Sequence, residues 1–313
     1  MNSDTRLRPL RGIVPPMVTP LASLTTLDHR GTELIVEHIL AGGAHALFLL
    51  GTTGEGPALT YSVRRELIER VCQQVGTRVP VLVGITDTAY VESLRLAEHA
   101  ARCGAAAVVA APPYYFPVSQ SDLMRLIEGW ARESALPIYL YNQPALTKVN
   151  FDPQTVEIAS KIPNIFGIKD SSGDMAYLRD VLGRVADLPE FSVLVGPEHL
   201  LAEALLSGAH GGVPGGANIF PKLPVLLYQA FLRGAYREME KIQAEMVKLG
   251  QPIFQPGEAD AGYIRRLKCA LSLMGICSDH LAGPYQPASS DEKLAIERHL
   301  LAHGFLENSR VGQ

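Results

Sequence analysis

The sequence predicts an α/β fold, a TIM (β/α)8 barrel with a C-terminal helical extension, on three observations. Eight short apolar runs recur between Gly12 and Val213. Segments with helical periodicity and surface charge stand between them, and alternating strand and helix predicts a parallel sheet. No GxGxxG follows the first run, and the spacing stays that of barrel units rather than of an open doubly wound sheet.

In chain order the apolar runs cover residues 12–18, 46–50, 79–85, 105–110, 138–141, 165–168, 191–195 and 211–213. They are continuously apolar, as strands covered on both faces must be. Helical periodicity covers 61–75, 91–102, 121–133 and 175–185. After Pro221 the strands stop, and helices are expected over 224–239, 241–249, 261–274 and 290–303. The predicted organisation is a barrel core over 1–225, its last helix continuing to about 234, and a C-terminal helical region over 235–313. A chain of 313 residues suits one barrel with an appendix.

Composition narrows the function classes. Apolar residues make up 47% and charged residues 19%, enough for a large buried core. A formal net charge of -4 and a pI near 6.1 argue against a nucleic-acid partner, which would select a basic surface. Cys72, Cys103, Cys269 and Cys277 form no CxxC pair, and their spacing suits neither a zinc site nor a disulfide framework. They read as buried thiols of a reducing compartment. Residues 1–16 contain Arg6, Arg8 and Arg11 but no apolar h-region, and the longest uncharged stretch, 103–121, is broken by Pro112, Pro113 and Pro117. No membrane partner is expected, and the expected location is the cytoplasm. The nine histidines show no HxH or HExxH spacing, so no metal is expected, and His45, His99 and His210 read as structural.

Barrel enzymes build their sites at the C-terminal ends of strands, where loops vary without disturbing the packed core. The second run ends in Gly51-Thr52-Thr53-Gly54-Glu55-Gly56. Its glycines permit a tight turn that aims N–H groups and hydroxyls at one point, a nest for a carboxylate. An ordinary turn whose threonines cap the next helix has the same composition. The fifth run ends in Tyr139-Leu140-Tyr141-Asn142-Gln143-Pro144, and strand alternation puts both tyrosines on one side. One phenol can shuttle protons; a core tyrosine with a satisfied hydroxyl is the plainer role. Lys169 directly follows the sixth run, so it either points into the barrel mouth or pairs with a carboxylate such as Asp170. Burial penalises an ammonium ion and frees the amine lone pair for attack on a carbonyl, which is what a Schiff-base lysine requires. A carboxylate nest, a phenol and a desolvated amine at one mouth together match 2-oxo-acid condensation: the nest holds the acid group, the amine forms the imine, and the phenol moves the proton as the carbinolamine dehydrates.

Five motifs in order, GTTGE at 51–55, PYY at 113–115, YNQP at 141–144, GIKD at 167–170 and GAHGGVPGGAN at 208–218, resemble the dihydrodipicolinate synthase and N-acetylneuraminate lyase superfamily of pyruvate-dependent class I aldolases. The resemblance runs from about Gly12 through the C-terminal helices. It implies Lys169 as the Schiff-base lysine, Tyr141 as acid/base, and Thr52 and Thr53 as binders of the oxo-acid carboxylate. It further implies that Tyr115 completes a proton relay with Thr52 and Tyr141 from a neighbouring subunit, and that Val213 and Gly196 form part of the pocket near the imine. A homotetramer built as a dimer of dimers, or a homodimer, follows from the same resemblance, and no cofactor beyond the covalent imine is implied.

Two departures bear on the substrate. Synthases of this superfamily carry Arg in a YNxPxRT pattern to hold a second carboxylate; Leu146 stands there, which disfavours a 4-hydroxy-tetrahydrodipicolinate synthase. Tyr-Asn-Gln-Pro-Ala-Leu-Thr is similar to the neuraminate lyase pattern, yet Gly196-Pro197-Glu198-His199 replaces a GYDE-like string and Gly215 replaces a serine. Residues 169–174 are similar to members acting on 2-keto-3-deoxy sugar acids or 4-hydroxy-2-oxo acids. Glu198 and His199 are substrate-pocket candidates, whereas Tyr263 and Arg265 are expected to make packing or subunit contacts. The expected activity is a lyase that interconverts a 2-oxo acid with pyruvate and an aldehyde. A dehydratase using the same imine, a phosphate-sugar isomerase barrel and a non-catalytic barrel that binds a 2-oxo acid are the rivals.

Overall fold

The computed structural model of the chain describes residues 7–254 and 262–306. Every apolar run contributes a strand to one parallel sheet: β1 (Gly12–Ile13), β4 (Leu47–Leu49), β5 (Val81–Gly84), β6 (Ala107–Ala110), β7 (Ile138–Asn142), β8 (Ile165–Asp170), β9 (Ser192–Val195) and β10 (Gly211–Gly212). From β4 to β10 each strand pairs with its successor in the chain, and β10 pairs with β1. The ring closes through a parallel bridge from Pro16 to Phe48, where Phe48 N–H donates to Pro15 O at 3.0 Å and Met17 N–H donates to Phe48 O at 2.9 Å. This is the predicted barrel. β1 is shorter than the expected 12–18 because Pro15 and Pro16 have no N–H to give a ladder, although the chain still runs along β4.

A short hairpin, β2 (Leu21–Ser23) and β3 (Thr26–Leu27), was not expected from the sequence; two and three residues are too few to show a period. The helices are α1 (His29–Ala41), α2 (Tyr61–Val75), α3 (Tyr90–Arg102), α4 (Gln120–Glu133), α5 (Pro144–Thr147), α6 (Pro153–Ala159), α7 (Met175–Arg184), α8 (Leu201–Leu206), α9 (Lys222–Leu232), α10 (Tyr236–Gly250), α11 (Gly262–Leu273) and α12 (Ser290–Ala302). Side chains start several of them: the Thr60 hydroxyl accepts from Val63 N–H, Ser119 and Asp122 form a reciprocal capping box, and Asp174 accepts from Ala176 and Tyr177. The single helix expected over 224–239 is instead α9 and α10. Gly234 adopts φ +69°, a left-handed conformation in which glycine ends a helix, so the chain turns before resuming.

Strand alternation divides the interior into two layers. Leu47, Leu49, Val81, Val83, Val108, Leu140 and Ile168 face the helices, while Phe48, Leu82, Val109, Tyr139, Tyr141, Phe166 and Leu194 fill the barrel. The barrel floor is plugged by Leu7 and Leu10, with Tyr139 donating its hydroxyl to Leu7 O at 2.7 Å. Tyr139 is therefore a satisfied core tyrosine, which leaves Tyr141, one turn of the alternation higher, at the mouth. Of the described helices, none is long and apolar enough to cross a membrane.

Candidate active site

Strands β7 and β8 place the two central groups. Their register pairs Tyr141 with Lys169 and Asn142 with Asp170. Alternation turns the first pair into the barrel and the second outward. Lys169 is buried, its Nζ 4.1 Å from the centre of the Tyr141 ring and 5.0 Å from that of Phe48. Among the described residues no carboxylate forms an ion pair with it, so pairing with Asp170 is not realised. Asp170 instead accepts from Asn142 Nδ2 at 2.8 Å, from Ser172 Oγ at 2.9 Å and from Ser172 N–H at 3.1 Å. Burial raises the pKa of that carboxyl, and these hydrogen bonds oppose the rise. Asn142 Oδ1 accepts from Phe151 N–H at 3.1 Å, which completes a buried brace directly behind the lysine.

The loop after β4 lies across the mouth. Leu50 takes φ +57° to start the turn, and the backbone then folds onto itself so closely that a Cβ at Gly56 would lie 2.1 Å from Leu50 O. The glycine is required by this close approach. Thr52 Oγ1 is 3.1 Å from Tyr141 OH, and Thr53 Oγ1 is 3.4 Å from Tyr263 OH. Glu55, at φ +55°, sends its carboxylate away from the mouth to form a buried ion pair with Lys268 of α11 and to accept from Ala282 N–H at 2.7 Å. Lys268 Nζ also donates to His280 O at 2.7 Å. Burial pulls the Lys268 ammonium below its ordinary pKa, and Glu55 holds it up. The threonine loop is thus tied to the C-terminal helices.

A cavity of about 760 Å³ opens above these groups. Thr52, Thr53, Tyr141, Lys169, Gly196, Glu198, His199 and Val213 all line it, so the structure brings together most of the residues singled out in the sequence. Two do not join them. Leu146 lies on α5, exposed, and Tyr115 is 76% exposed beside an equally bare Phe116. Gly196 thins the wall: a Cβ there would meet Ser171 Oγ at 1.9 Å. Glu198 Oε2 accepts from Gly216 N–H at 2.6 Å, and its carboxylate tip packs between Gly216 and Gly250. Burial of that tip pushes its pKa up to about 7. Gln243 of α10 fixes the segment by donating to Glu198 O at 2.9 Å and accepting from Ala202 N–H at 2.9 Å.

Tyr263 and Arg266 also line the cavity, together with Gly250, Gln251 and Phe254. Tyr263 was expected to serve packing or subunit contacts; burial raises its pKa, and its hydroxyl faces Thr53. Arg266 donates from Nε to Ile253 O at 2.9 Å. These residues come from α10, the segment directly after it and α11, all beyond the last strand, and strand-end inspection has no access to them.

The model of the dihydrodipicolinate synthetase family matches residues 9–303. The chain belongs to that family. It is similar to the dihydrodipicolinate synthase of Bacteroides thetaiotaomicron, at 46% identity and a TM-score of 0.90 over 93% of this chain and 98% of that one. It is similar to Escherichia coli K12 YagE, a prophage protein of the same family solved in complex with pyruvate, at 30% identity and a TM-score of 0.89 over 95% and 100% of the two chains. YagE has been provisionally assigned a 2-dehydro-3-deoxy-D-gluconate aldolase activity. A DapA-like lyase of Halobacterium salinarum is 34% identical over 301 residues, 95% of each chain. Members of this family are lyases and aldolases, and the chain is an enzyme of that kind.

Proposed function

We propose that the enzyme is a Schiff-base aldolase that reversibly cleaves a hydroxylated 2-oxo acid of the 2-keto-3-deoxy sugar-acid type to pyruvate and an aldehyde. The observation that carries this proposal is the register pairing of Lys169 with Tyr141 at the floor of the cavity, with the Tyr141 hydroxyl 3.1 Å from Thr52. The Lys169 amine nitrogen attacks the C2 carbonyl of an acid whose carboxylate is held at Thr52 and Thr53. Tyr141 passes protons as the carbinolamine loses water to give the protonated imine. The C3–C4 bond then breaks, its electron pair moving through C3 onto the iminium nitrogen, while Tyr141 takes the proton of the C4 hydroxyl and the aldehyde leaves. Protonation of the enamine at C3 and addition of water release pyruvate and restore the amine. The imine is the electron sink, so the scheme calls for no cofactor.

The acceptor end of the cavity supports a polyhydroxylated aldehyde. Glu198, His199 and Gln143 offer hydrogen-bonding groups there, whereas Leu146 supplies no guanidinium fork for a second carboxylate. Val213 and Gly196 wall the imine end. Tyr115 fits the role of a relay residue contributed to a partner copy, since it stands bare on this chain.

Incubation with pyruvate and borohydride followed by peptide mapping tests the proposal, because reduction freezes the imine as a stable amine. A pyruvyl adduct on Lys169, absent from Lys169→Ala, is expected, as is release of pyruvate and an aldehyde from a 2-keto-3-deoxy sugar acid. Catalysis by Lys169→Ala would overturn the assignment, and a 2,5-dioxo product in place of pyruvate would move it to a dehydratase.

A further inference from the structure

Three metal-ligating side chains converge on the flank of the barrel, away from the mouth. His99 and Cys103 stand four residues apart, on one face at the end of α3. Glu69 reaches them from α2, which packs against α3. His99 Nε2 lies 3.6 Å from Cys103 Sγ and 3.4 Å from Glu69 Oε1. All three ligand atoms lie within 4.8 Å of one another. A tetrahedral zinc ion bound to nitrogen at about 2.05 Å, sulfur at about 2.3 Å and oxygen at about 2.1 Å has an N···S edge of about 3.6 Å and an N···O edge of about 3.4 Å. Both edges measured at His99 match. The ring itself is largely buried, with 12% of its side chain exposed, while Glu69 is 60% exposed and leaves a fourth position open to water.

We propose that Glu69, His99 and Cys103 form a binding site for Zn²⁺ or a similar divalent transition ion, clipping α2 to α3. The site lies at the end of α3 that leads into the start of β6, so it belongs to the N-terminal face of the barrel, where residues serve stability rather than catalysis. Two groups compete with the ion. The Arg65 carbonyl lies 3.3 Å from His99 Nε2 and would hold a proton on that nitrogen, so ligation requires the tautomer protonated at Nδ1. Burial, and next Glu69, raise the pKa of the Cys103 thiol, so binding must expel its proton: Zn²⁺ and the neutral thiol give a zinc thiolate and one released H⁺. No pattern of spacing within one helix discloses the site, because the third ligand comes from the neighbouring helix.

Titration of the chelator-treated full-length protein with Co²⁺, followed by its near-ultraviolet thiolate charge-transfer band, tests the proposal. The expected result is saturation at one equivalent, release of one proton, and loss of the band on adding Zn²⁺. Cys103→Ser should lose the band, and His99→Asn should require far more metal to produce it. Formation of the pyruvate adduct by Cys103→Ser reports that the variant is folded, since the cluster is remote from the cavity. Absence of a thiolate band in the wild type, or its survival in Cys103→Ser, would overturn the proposal.

Discussion

Tyr141 and Glu198 show how neighbours set the work of a single side chain. Tyr141 meets Thr52 through its hydroxyl and Lys169 across its ring face, so Tyr141→Phe keeps the packing and removes only the hydroxyl proposed to pass protons. Its kcat should fall by about 10²–10⁴-fold, with the borohydride-trapped adduct on Lys169 still forming slowly; stopped-flow cleavage assays separate the two steps. Glu198 should titrate near neutrality, because burial pushes its carboxyl up to about 7 against the pull of the Gly216 N–H. In the folded chain it keeps a proton that the unfolded chain has lost, so the stability it confers is full below the ordinary carboxylate range and disappears as pH rises through about 7. Glu198→Gln should therefore flatten that part of the stability curve in thermal melts across pH. The KM for a polyhydroxylated substrate should also lose its dependence on pH around neutrality. A Glu198→Gln protein that melts with the wild-type pH dependence would show that another group titrates there.

At the scale of elements, the site depends on a contact that joins opposite ends of the chain. Glu55 ends the threonine loop after β4, and its buried pairing with Lys268 anchors that loop to α11. Removing one partner leaves a buried charge alone, which costs about 3–5 kcal/mol. Glu55→Gln should lose stability on that scale in urea unfolding and raise the KM for pyruvate, because Thr52 and Thr53 lose their anchor. Combining it with Lys268→Met should restore much of the stability without restoring KM. The strands of this barrel were legible because full burial on both faces makes each one a continuous apolar run, and Lys169 stood out as the charge that breaks such a run. Glu55 was legible only as part of a glycine-rich turn, because its partner lies more than two hundred residues away. Tyr263 packs against Phe254, as a helical aromatic is expected to, but its place at the cavity was illegible for the same reason: one aromatic in a charged helix carries no mark of the cavity it faces. Gly234, by contrast, sits directly after a helical run and is a local stop signal that could have divided α9 from α10.

For the whole molecule, the outstanding feature is a bare aromatic pair, Tyr115 and Phe116, 76% and 73% exposed and stacked edge to face at 5.0 Å. Both follow β6 in the loop beyond the barrel mouth, yet neither lines the cavity of its own chain. Large exposed rings of this kind favour burial against a partner. If a second copy covers them, Tyr115 can supply the relay hydroxyl to the neighbouring cavity, and each site is then assembled from two chains. Subunit mixing tests this directly. Lys169→Ala chains have no amine, and Tyr115→Phe chains should turn over slowly for want of the hydroxyl. In a mixed dimer one site combines the intact Lys169 of the Tyr115→Phe chain with the intact Tyr115 of the Lys169→Ala chain, and so regains every group. Mixing under conditions that exchange subunits should therefore raise activity above that of either variant alone, while Phe116→Asp, which charges the covered face, should give a smaller species in sedimentation and lose the rescue. Exchange that mass spectrometry confirms but that brings no gain in activity would confine catalysis to groups of a single chain and leave Tyr115 a packing residue.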